Sequence, residues 1–284
     1  MIHLAEGLPR PPVTGPIGGF DSGVGGLSVW REIVRQLPHE DVVYFADQVH
    51  VPYGPRSQDE IRQFCDGITR FLIGQGCKAI VVACNTASAA ALKYLRETFQ
   101  QLPVIGMEPA VKPAAAMTRS GVVGILATPA TFQGRLFQAT AGRYAAHIKL
   151  VNQVCNGLAE LVETGELDGP HMDAALREFL DPILAAGADT IVLACTHYPF
   201  VIEPIRRIAG EGVTVIDPAP AIARHLGNVL DDLGLARYRD RTGAWRFYTS
   251  GDPASFRLAL SRMLGLEGEA RPARWDGARA AVQG

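Results

Sequence analysis

The sequence reads IVVACNTAS from Ile80 to Ser88 and IVLACTHYP from Ile191 to Pro199. In both stretches an apolar run, typical of a buried strand in a parallel sheet, ends at a cysteine. Polar residues rather than further core residues follow each cysteine. The two stretches therefore predict two similar strands, each of which ends at a thiol.

A longer repeat surrounds these two stretches. Aligning IGQGCKAIVVAC (73–84) with LAAGADTIVLAC (184–195) superposes two cysteines that are 111 positions apart. Two weaker matches have nearly the same offset: GGFDS (18–22) with GILAT (124–128), and Glu108-Pro109-Ala110 with Asp217-Pro218-Ala219. We therefore predict two similar halves.

Short apolar runs alternate with helical patterns along most of the chain, which is typical of βαβ units and parallel sheets. The predicted fold class is α/β, with two pseudo-symmetric α/β domains that contain parallel-type sheets. The predicted strands are 16–20, 41–46, 79–83, 102–107, 122–126, 147–151, 190–194, 213–217 and 245–250.

Composition excludes several classes of protein. The chain has 284 residues, is 48% hydrophobic and carries a net charge of −2, so we expect a globular core and no nucleic-acid partner. No apolar run is long enough to span a bilayer, so we expect no membrane partner. Five cysteines without a CxxC pair favour free thiols and a cytoplasmic location. Residues 1–15 are predicted to be a disordered arm without a secretory signal, and 267–284 a frayed tail.

The two strand-end cysteines, Cys84 and Cys195, are candidate acid–base groups. Ligands of open α/β sheets bind at the carboxyl ends of strands, where a helix N-terminus favours both a thiolate and a bound anion. A single such cysteine is usually a small core residue, but two at equivalent repeat positions favour function. We interpret Cys65 and Cys77 as structural. Two thiols on opposite sides of one cleft would suit inversion of a carbon by proton transfer.

Other motifs supply candidate partners for the thiols. Asp21 and Ser22 follow the first strand in FDSGVGG (20–26), which matches neither GxGxxG nor a P-loop and therefore does not predict nucleotide binding. Tyr53 and Gly54 form a Pro-Tyr-Gly turn that is either only a turn or a source of hydroxyl and backbone donors. His197 lies two residues after Cys195, whereas helical periodicity alone marks Glu163.

A metal site and an organic cofactor are not expected. Cys84, Cys155, Cys195 and His197 could converge, but no pair has the usual short spacing of metal ligands. None of the four lysines lies in a pyridoxal motif. A Cys–His hydrolase stays possible, although it leaves the second strand-end cysteine without a role.

The motifs FDSGVGGLSV, PYGPRS, ACNTAS, ATPAT, ACTHYP and TSGDP, in this order, resemble the aspartate/glutamate racemase superfamily and in particular its cofactor-independent glutamate racemases. The resemblance covers about residues 16–266. It implies a first domain of 16–107 plus 222–266, an inserted second domain of 108–221, and an active site in the cleft between them.

The resemblance also implies roles for individual residues. Cys84 would take the proton from D-glutamate with help from Asp21, and Cys195 would take it from L-glutamate with help from Glu163 and His197. The implied substrate-binding residues are Asp21, Ser22, Tyr53, Gly54, Asn85, Thr86, Thr196 and His197. The resemblance further implies glutamate as substrate, supply of D-glutamate for peptidoglycan, no cofactor and a homodimer. An aspartate racemase and a non-catalytic amino-acid-binding module stay as alternatives.

Overall fold

A computed structural model describes residues 12–108, 110–145, 147–237, 241–277 and 279–282. The described strands are β1 (Ile17–Asp21), β2 (Val42–Ala46), β3 (Ala79–Val82), β4 (Val104–Gly106), β5 (Val122–Ala127), β6 (Lys149–Val154), β7 (Thr190–Ala194), β8 (Thr214–Ile216), β9 (Trp245–Thr249), β10 (Ala270–Asp276) and β11 (Arg279–Val282).

Helices separate most of these strands. They are α1 (Leu27–Gln36), α2 (Gln58–Gly74), α3 (Asn85–Thr98), α4 (Val111–Met117), α5 (Pro129–Gln133), α6 (Arg135–Tyr144), α7 (Leu158–Glu163), α8 (Pro170–Ala185), α9 (Ile202–Ala209), α10 (Ala219–Asp232) and α11 (Pro253–Leu264), with a 3₁₀ helix at Tyr198–Val201. None of the helices in the described ranges combines the length and the apolar character that crossing a membrane requires.

The chain divides into two compact units. Unit 1 comprises Met1–Met107 and Ala219–Gly284, and unit 2 comprises the continuous segment Glu108–Pro218. The chain re-enters unit 1 at Ala219, where α10 begins, rather than at residue 222 as the resemblance implied.

Unit 1 contains a seven-stranded sheet of order β11-β10-β9-β2-β1-β3-β4. Its strand pairs are parallel except for the antiparallel pair β10–β11. Every residue of β1, β2 and β3 is buried. These central strands form near-continuous apolar runs because helices cover both faces of such a sheet.

Unit 2 contains a four-stranded parallel sheet of order β6-β5-β7-β8. Its core includes Val111, Ile125, Phe137 and Val192. The strand order matches that of β2-β1-β3-β4 in unit 1, so β5 and β7 hold the positions of β1 and β3. The repeat predicted from the sequence is therefore a repeat of topology.

All nine predicted strands are present, with ends that differ from the prediction by three residues at most. The tail predicted to be frayed, 267–284, contains two strands within its described residues. Strand β10 pairs with β9 through Ala270, and β11 pairs with β10. The sequence pattern hid β10 because Arg and Pro occupy its outward positions and only small residues, Ala270 and Ala273, are buried.

The predicted disordered arm is ordered at its last four residues. The Gly15 N–H donates to the Pro12 carbonyl, and the Val13 carbonyl accepts from Lys78. A side chain at Gly15 would place its Cβ 2.2 Å from the Gly76 carbonyl oxygen, so this close approach requires glycine. The rest of the predicted arm, 1–11, lies outside the described residues.

Candidate active site

In unit 1, Cys84 lies at the carboxyl end of β3 and is the N-cap residue of α3. Its Sγ accepts a hydrogen bond from the Ala87 N–H at 3.4 Å, in the place where a Ser or Asp side chain usually caps a helix. The helix N-terminus favours negative charge on this sulfur. The local fold therefore places the thiol where a thiolate is stabilised.

Asp21 and Ser22 reach the same edge because β1 is the neighbour of β3. The Ser22 Oγ lies 3.9 Å from the Cys84 Sγ and 3.3 Å from the Asp21 Oδ1. Backbone N–H groups of Ser22 and Gly26 donate to the two Asp21 oxygens at 2.7 and 2.6 Å. Asp21 thus holds the turn into α1 and lies one hydroxyl away from the thiol.

Asn85 and Thr86 form the first turn of α3 and are buried. Only 5% of Asn85 is exposed, yet neither its Oδ1 nor its Nδ2 has a hydrogen-bond partner within the described chain. An unsatisfied buried amide costs free energy and calls for an explanation such as a ligand. Asn85 is therefore suited to contact a bound molecule beside Cys84.

Tyr53 is buried, and its Oη donates to Asp47 Oδ2 at 2.7 Å. Burial, and then the negative charge of Asp47, raise the pKa of Tyr53 well above its usual value. Gly54 follows in the same turn and is half-buried. The phenol proton is thus engaged within the protein, whereas the sequence left it available to a substrate.

In unit 2, Cys195 follows the carboxyl end of β7, and a hydrogen-bonded chain leads away from it. The Cys195 Sγ lies 3.6 Å from the His197 Nδ1, and the His197 Nε2 lies 2.7 Å from the Glu163 Oε1. Glu163 is the last residue of α7. The structure therefore places Glu163, which only helical periodicity had marked, in contact with His197. Thr196, the residue between Cys195 and His197 in the sequence, is buried.

The charge of His197 follows from these contacts. Burial by itself lowers the pKa of His197, but the hydrogen bonds to Cys195 and Glu163 and their negative charges raise it well above the usual value. An imidazolium beside a sulfur stabilises a thiolate. Cys195 thus has a cationic partner, whereas Cys84 has a helix N-terminus.

The other three cysteines are also buried. Burial raises the pKa of Cys65 well above its usual value and the pKa of Cys77 and Cys155 to about 12. Cys155 donates weakly to the Gln153 carbonyl. Within the described ranges, no group of three His, Cys, Asp or Glu side chains is arranged to hold a metal ion.

Asp47, which holds Tyr53, was not among the site residues predicted from the sequence. Asp47 directly follows β2, and its N–H donates to the Asp21 carbonyl at 2.9 Å. A carboxylate at the carboxyl end of a strand adjacent to β1 was the signal that could have marked it.

The sequence matches the Asp/Glu/Hydantoin racemase family model over residues 17–226. The chain belongs to the Asp/Glu/Hydantoin racemase family. It is 49% identical over 249 residues to a glutamate racemase from Roseiflexus sp. (strain RS-1), an alignment that covers 87% of this chain and 92% of that one.

Solved structures of racemases of this family have the same fold. The glutamate racemase isoform RacE1 of Bacillus anthracis is 35% identical with a TM-score of 0.85, over 93% of this chain and 98% of that chain. The Francisella tularensis glutamate racemase in complex with D-glutamate is 30% identical with a TM-score of 0.81, over 92% and 98%. The two strand-end thiols thus lie in a racemase fold.

Proposed function

We propose that this racemase interconverts L-glutamate and D-glutamate, with Cys84 and Cys195 as the two acid–base groups. Similar proteins named glutamate racemases, at up to 49% identity over most of the chain, support glutamate as the substrate. Racemisation by two bases removes the α-proton from one face of the carbon and delivers a proton to the other face. It needs one acid–base group for each face, and each unit supplies one thiol.

One observation carries the proposal. Cys84 and Cys195 follow β3 and β7, which hold the same position in two sheets of the same strand order. Ligands of open α/β sheets bind at this edge. Two equivalent strand ends that both carry a thiol are hard to reconcile with two independent core cysteines.

The partners of each thiol suit its assignment. We assign to Cys84 the proton of D-glutamate and to Cys195 the proton of L-glutamate. The Ser22–Asp21 pair and the α3 N-terminus support the thiolate of Cys84. The His197–Glu163 pair supports that of Cys195.

Proton removal also requires stabilisation of the negative charge that develops on the substrate carboxylate. Aimed N–H and hydroxyl donors at the two strand edges serve this purpose, and a dry site strengthens them. We assign substrate binding to Asp21, Ser22, Tyr53, Gly54, Asn85, Thr86, Thr196 and His197. No organic cofactor or metal enters this mechanism, because the thiols act directly on the α-proton.

The product, D-glutamate, is a building block of peptidoglycan, so we place the enzyme in cell-wall synthesis. We also propose that it acts in the cytoplasm, where free thiols persist, and as a homodimer. Light scattering on the purified protein measures its molecular mass in solution, which shows whether it is a dimer.

The decisive experiment replaces each thiol by an alcohol. Cys84→Ser and Cys195→Ser should each lower kcat by about 10²–10⁴-fold, because general acid–base catalysis contributes on that order and an alcohol is a poor base at neutral pH. The reaction is followed in heavy water by circular dichroism and by deuterium uptake at Cα. Cys77→Ala, at a buried cysteine with a high pKa, serves as control and should keep its activity.

Near-normal rates in both directions for either serine variant would rule out two-thiol chemistry. A higher kcat/KM for aspartate than for glutamate would identify an aspartate racemase instead. Glutamate binding without any exchange of the α-hydrogen would identify the non-catalytic binding module.

A further inference from the structure

Asp47 is a buried carboxylate that the thiol chemistry does not use directly. None of its surface is exposed. Its oxygens accept from the Tyr53 Oη at 2.7 Å, the Ser250 Oγ at 2.8 Å, the Trp275 Nε1 at 2.8 Å and the His50 Nδ1 at 2.9 Å. A buried carboxylate is tolerated only when donors of this kind compensate its lost hydration.

These donors come from three separate segments of unit 1. His50 and Tyr53 belong to the loop after β2, Ser250 follows β9, and Trp275 belongs to β10. The first three meet because β2 and β9 are paired and their ends coincide at Ala46 and Thr249. Asp47 therefore ties the Pro-Tyr-Gly turn to two later parts of the chain.

The register of β10 explains how Trp275 reaches Asp47. The last residue of β9, Thr249, pairs with Pro272, so β10 continues past the end of β9. Trp275 therefore lies beyond the carboxyl edge of the sheet, which is the edge that carries the candidate site. Strand β10 thus contributes a hydrogen-bond donor at the site edge.

Aromatic packing fixes the same group of side chains. The His50 ring is stacked on Phe64 with ring centroids 4.0 Å apart, and Trp275 meets His50 edge-on at 5.0 Å. Tyr53 lies 5.6 Å from Phe64. Aromatic contacts of this kind favour particular ring geometries, and the hydrogen bond to Asp47 holds the Tyr53 phenol within this packing.

We propose that Asp47 is a positioning residue of the substrate site, which fixes Tyr53 and Gly54, and that Trp275 of β10 fixes Asp47 in turn. This inference rests on the proposed function, since it assigns the Pro-Tyr-Gly turn to glutamate binding. It gives β10, which lies outside the 17–226 family match, a role in substrate affinity.

The test compares steady-state kinetics of two variants with a matched control. Asp47→Asn presents an N–H₂ group to donors that need an acceptor, so Tyr53 loses its fixed position and KM for glutamate should rise by about 10-fold, the effect of about one lost charge-assisted hydrogen bond. The change in kcat should be smaller than the change in KM. Trp275→Phe keeps an aromatic ring but removes the Nε1–H together with part of the indole, so KM should rise by about threefold.

Trp245→Phe is the control. Trp245 also lies on a strand of unit 1, but its ring packs on Trp30 at 5.0 Å and not on the Asp47 group. Its KM should equal that of the wild type. Thermal unfolding of all variants shows whether they are folded at the assay temperature. If Asp47→Asn is not folded, the milder variant Trp275→Phe still tests the proposal.

A double-mutant cycle tests whether Asp47 acts through Tyr53. In a Tyr53→Phe background, Asp47→Asn should raise KM by less than twofold, because the interaction that it removes is already gone. If the effects of Asp47→Asn and Tyr53→Phe on KM are independent and multiply, the proposal is wrong. It is also wrong if both Asp47→Asn and Trp275→Phe have the KM of the wild type. Either result leaves wild-type glutamate racemisation intact, whereas inactivity of the wild type would instead contradict the proposed function.

Discussion

At the scale of single residues, the chain supports one reactive group in two different ways. Cys84 uses a helix N-terminus and a serine–aspartate pair, whereas Cys195 uses a histidine–glutamate pair. Both arrangements favour a thiolate, the first by dipoles and the second by a full positive charge. The support of Cys195 depends on the charge of His197 and therefore on pH.

His197 should make stability depend on pH. Its folded-state pKa is raised above the unfolded value of 6.5, so its contribution to stability is complete below pH 6.5 and is lost as pH rises through the folded-state pKa. Each unit of upward shift is worth about 1.4 kcal/mol. Denaturant unfolding of wild type and His197→Gln across this range should show a gap in unfolding free energy that narrows as pH rises.

Glu163→Gln provides the matched comparison. It removes one of the two groups that raise the pKa of His197. The gap between Glu163→Gln and the double variant Glu163→Gln/His197→Gln should therefore be smaller at low pH, and it should close at a lower pH than the wild-type gap, although both begin to narrow near pH 6.5. If the difference in unfolding free energy between wild type and His197→Gln is constant or increases with pH, His197 is not charged in the folded protein.

At the scale of helices and strands, Asp189 joins the starts of two strands at the edge of unit 2 opposite Cys195. It precedes β7 and accepts from the Thr118 Oγ1 at 2.6 Å and from the N–H groups of Arg119 and Ser120 at 2.7 Å. These residues form the loop before β5. Burial raises the pKa of Asp189, but these hydrogen bonds outweigh it and hold the pKa well below its usual value.

Asp189→Asn should therefore lower the free energy of unfolding by about 1–3 kcal/mol, since donors around a charged acceptor lose their partner. Because the folded-state pKa is depressed, the benefit of Asp189 is present above pH 3.8 and is lost as pH falls through the folded-state pKa. Urea unfolding at pH 7 and pH 3 measures both effects. We expect the kcat of Asp189→Asn to equal that of the wild type. Asp181→Asn, an exposed position on α8, should leave stability unaltered.

The strands were the part of the fold that the sequence predicted best. Strands β1, β2, β3 and β7 are buried along their whole length, as expected for apolar strands inside a parallel sheet. Strand β10 was missed because its pairing with β9 depends on register and not on apolar residues of its own. Asp47 was missed for a related reason: two of its partners, Ser250 and Trp275, are about 200 positions or more away in the sequence, and local pattern carries no signal for such contacts.

At the scale of the whole chain, one strand order occurs twice in two different contexts. Unit 2 closes its core within one continuous segment. In unit 1 the equivalent strands, β2-β1-β3-β4, depend on the later segment: β9 pairs with β2, and Trp30 of α1 packs on Trp245 and Phe247. The sequence repeat predicted that the two halves share a strand order. It did not predict that they differ in the segments against which they pack.

The difference predicts which half folds alone. The segment 108–218, expressed by itself, should give a cooperative thermal transition by circular dichroism, because its four strands and their helices supply their own core. The segment 1–107 has the same strand order but lacks β9 and α10, so the apolar face of α1 and the edge of β2 lose their partners. It should show no cooperative transition until residues 219–284 are added in trans. Cooperative unfolding of 1–107 alone would mean that the strand order is sufficient for independent folding. No cooperative transition for 108–218 would mean that a core closed within one segment is not sufficient, and either result would contradict the prediction.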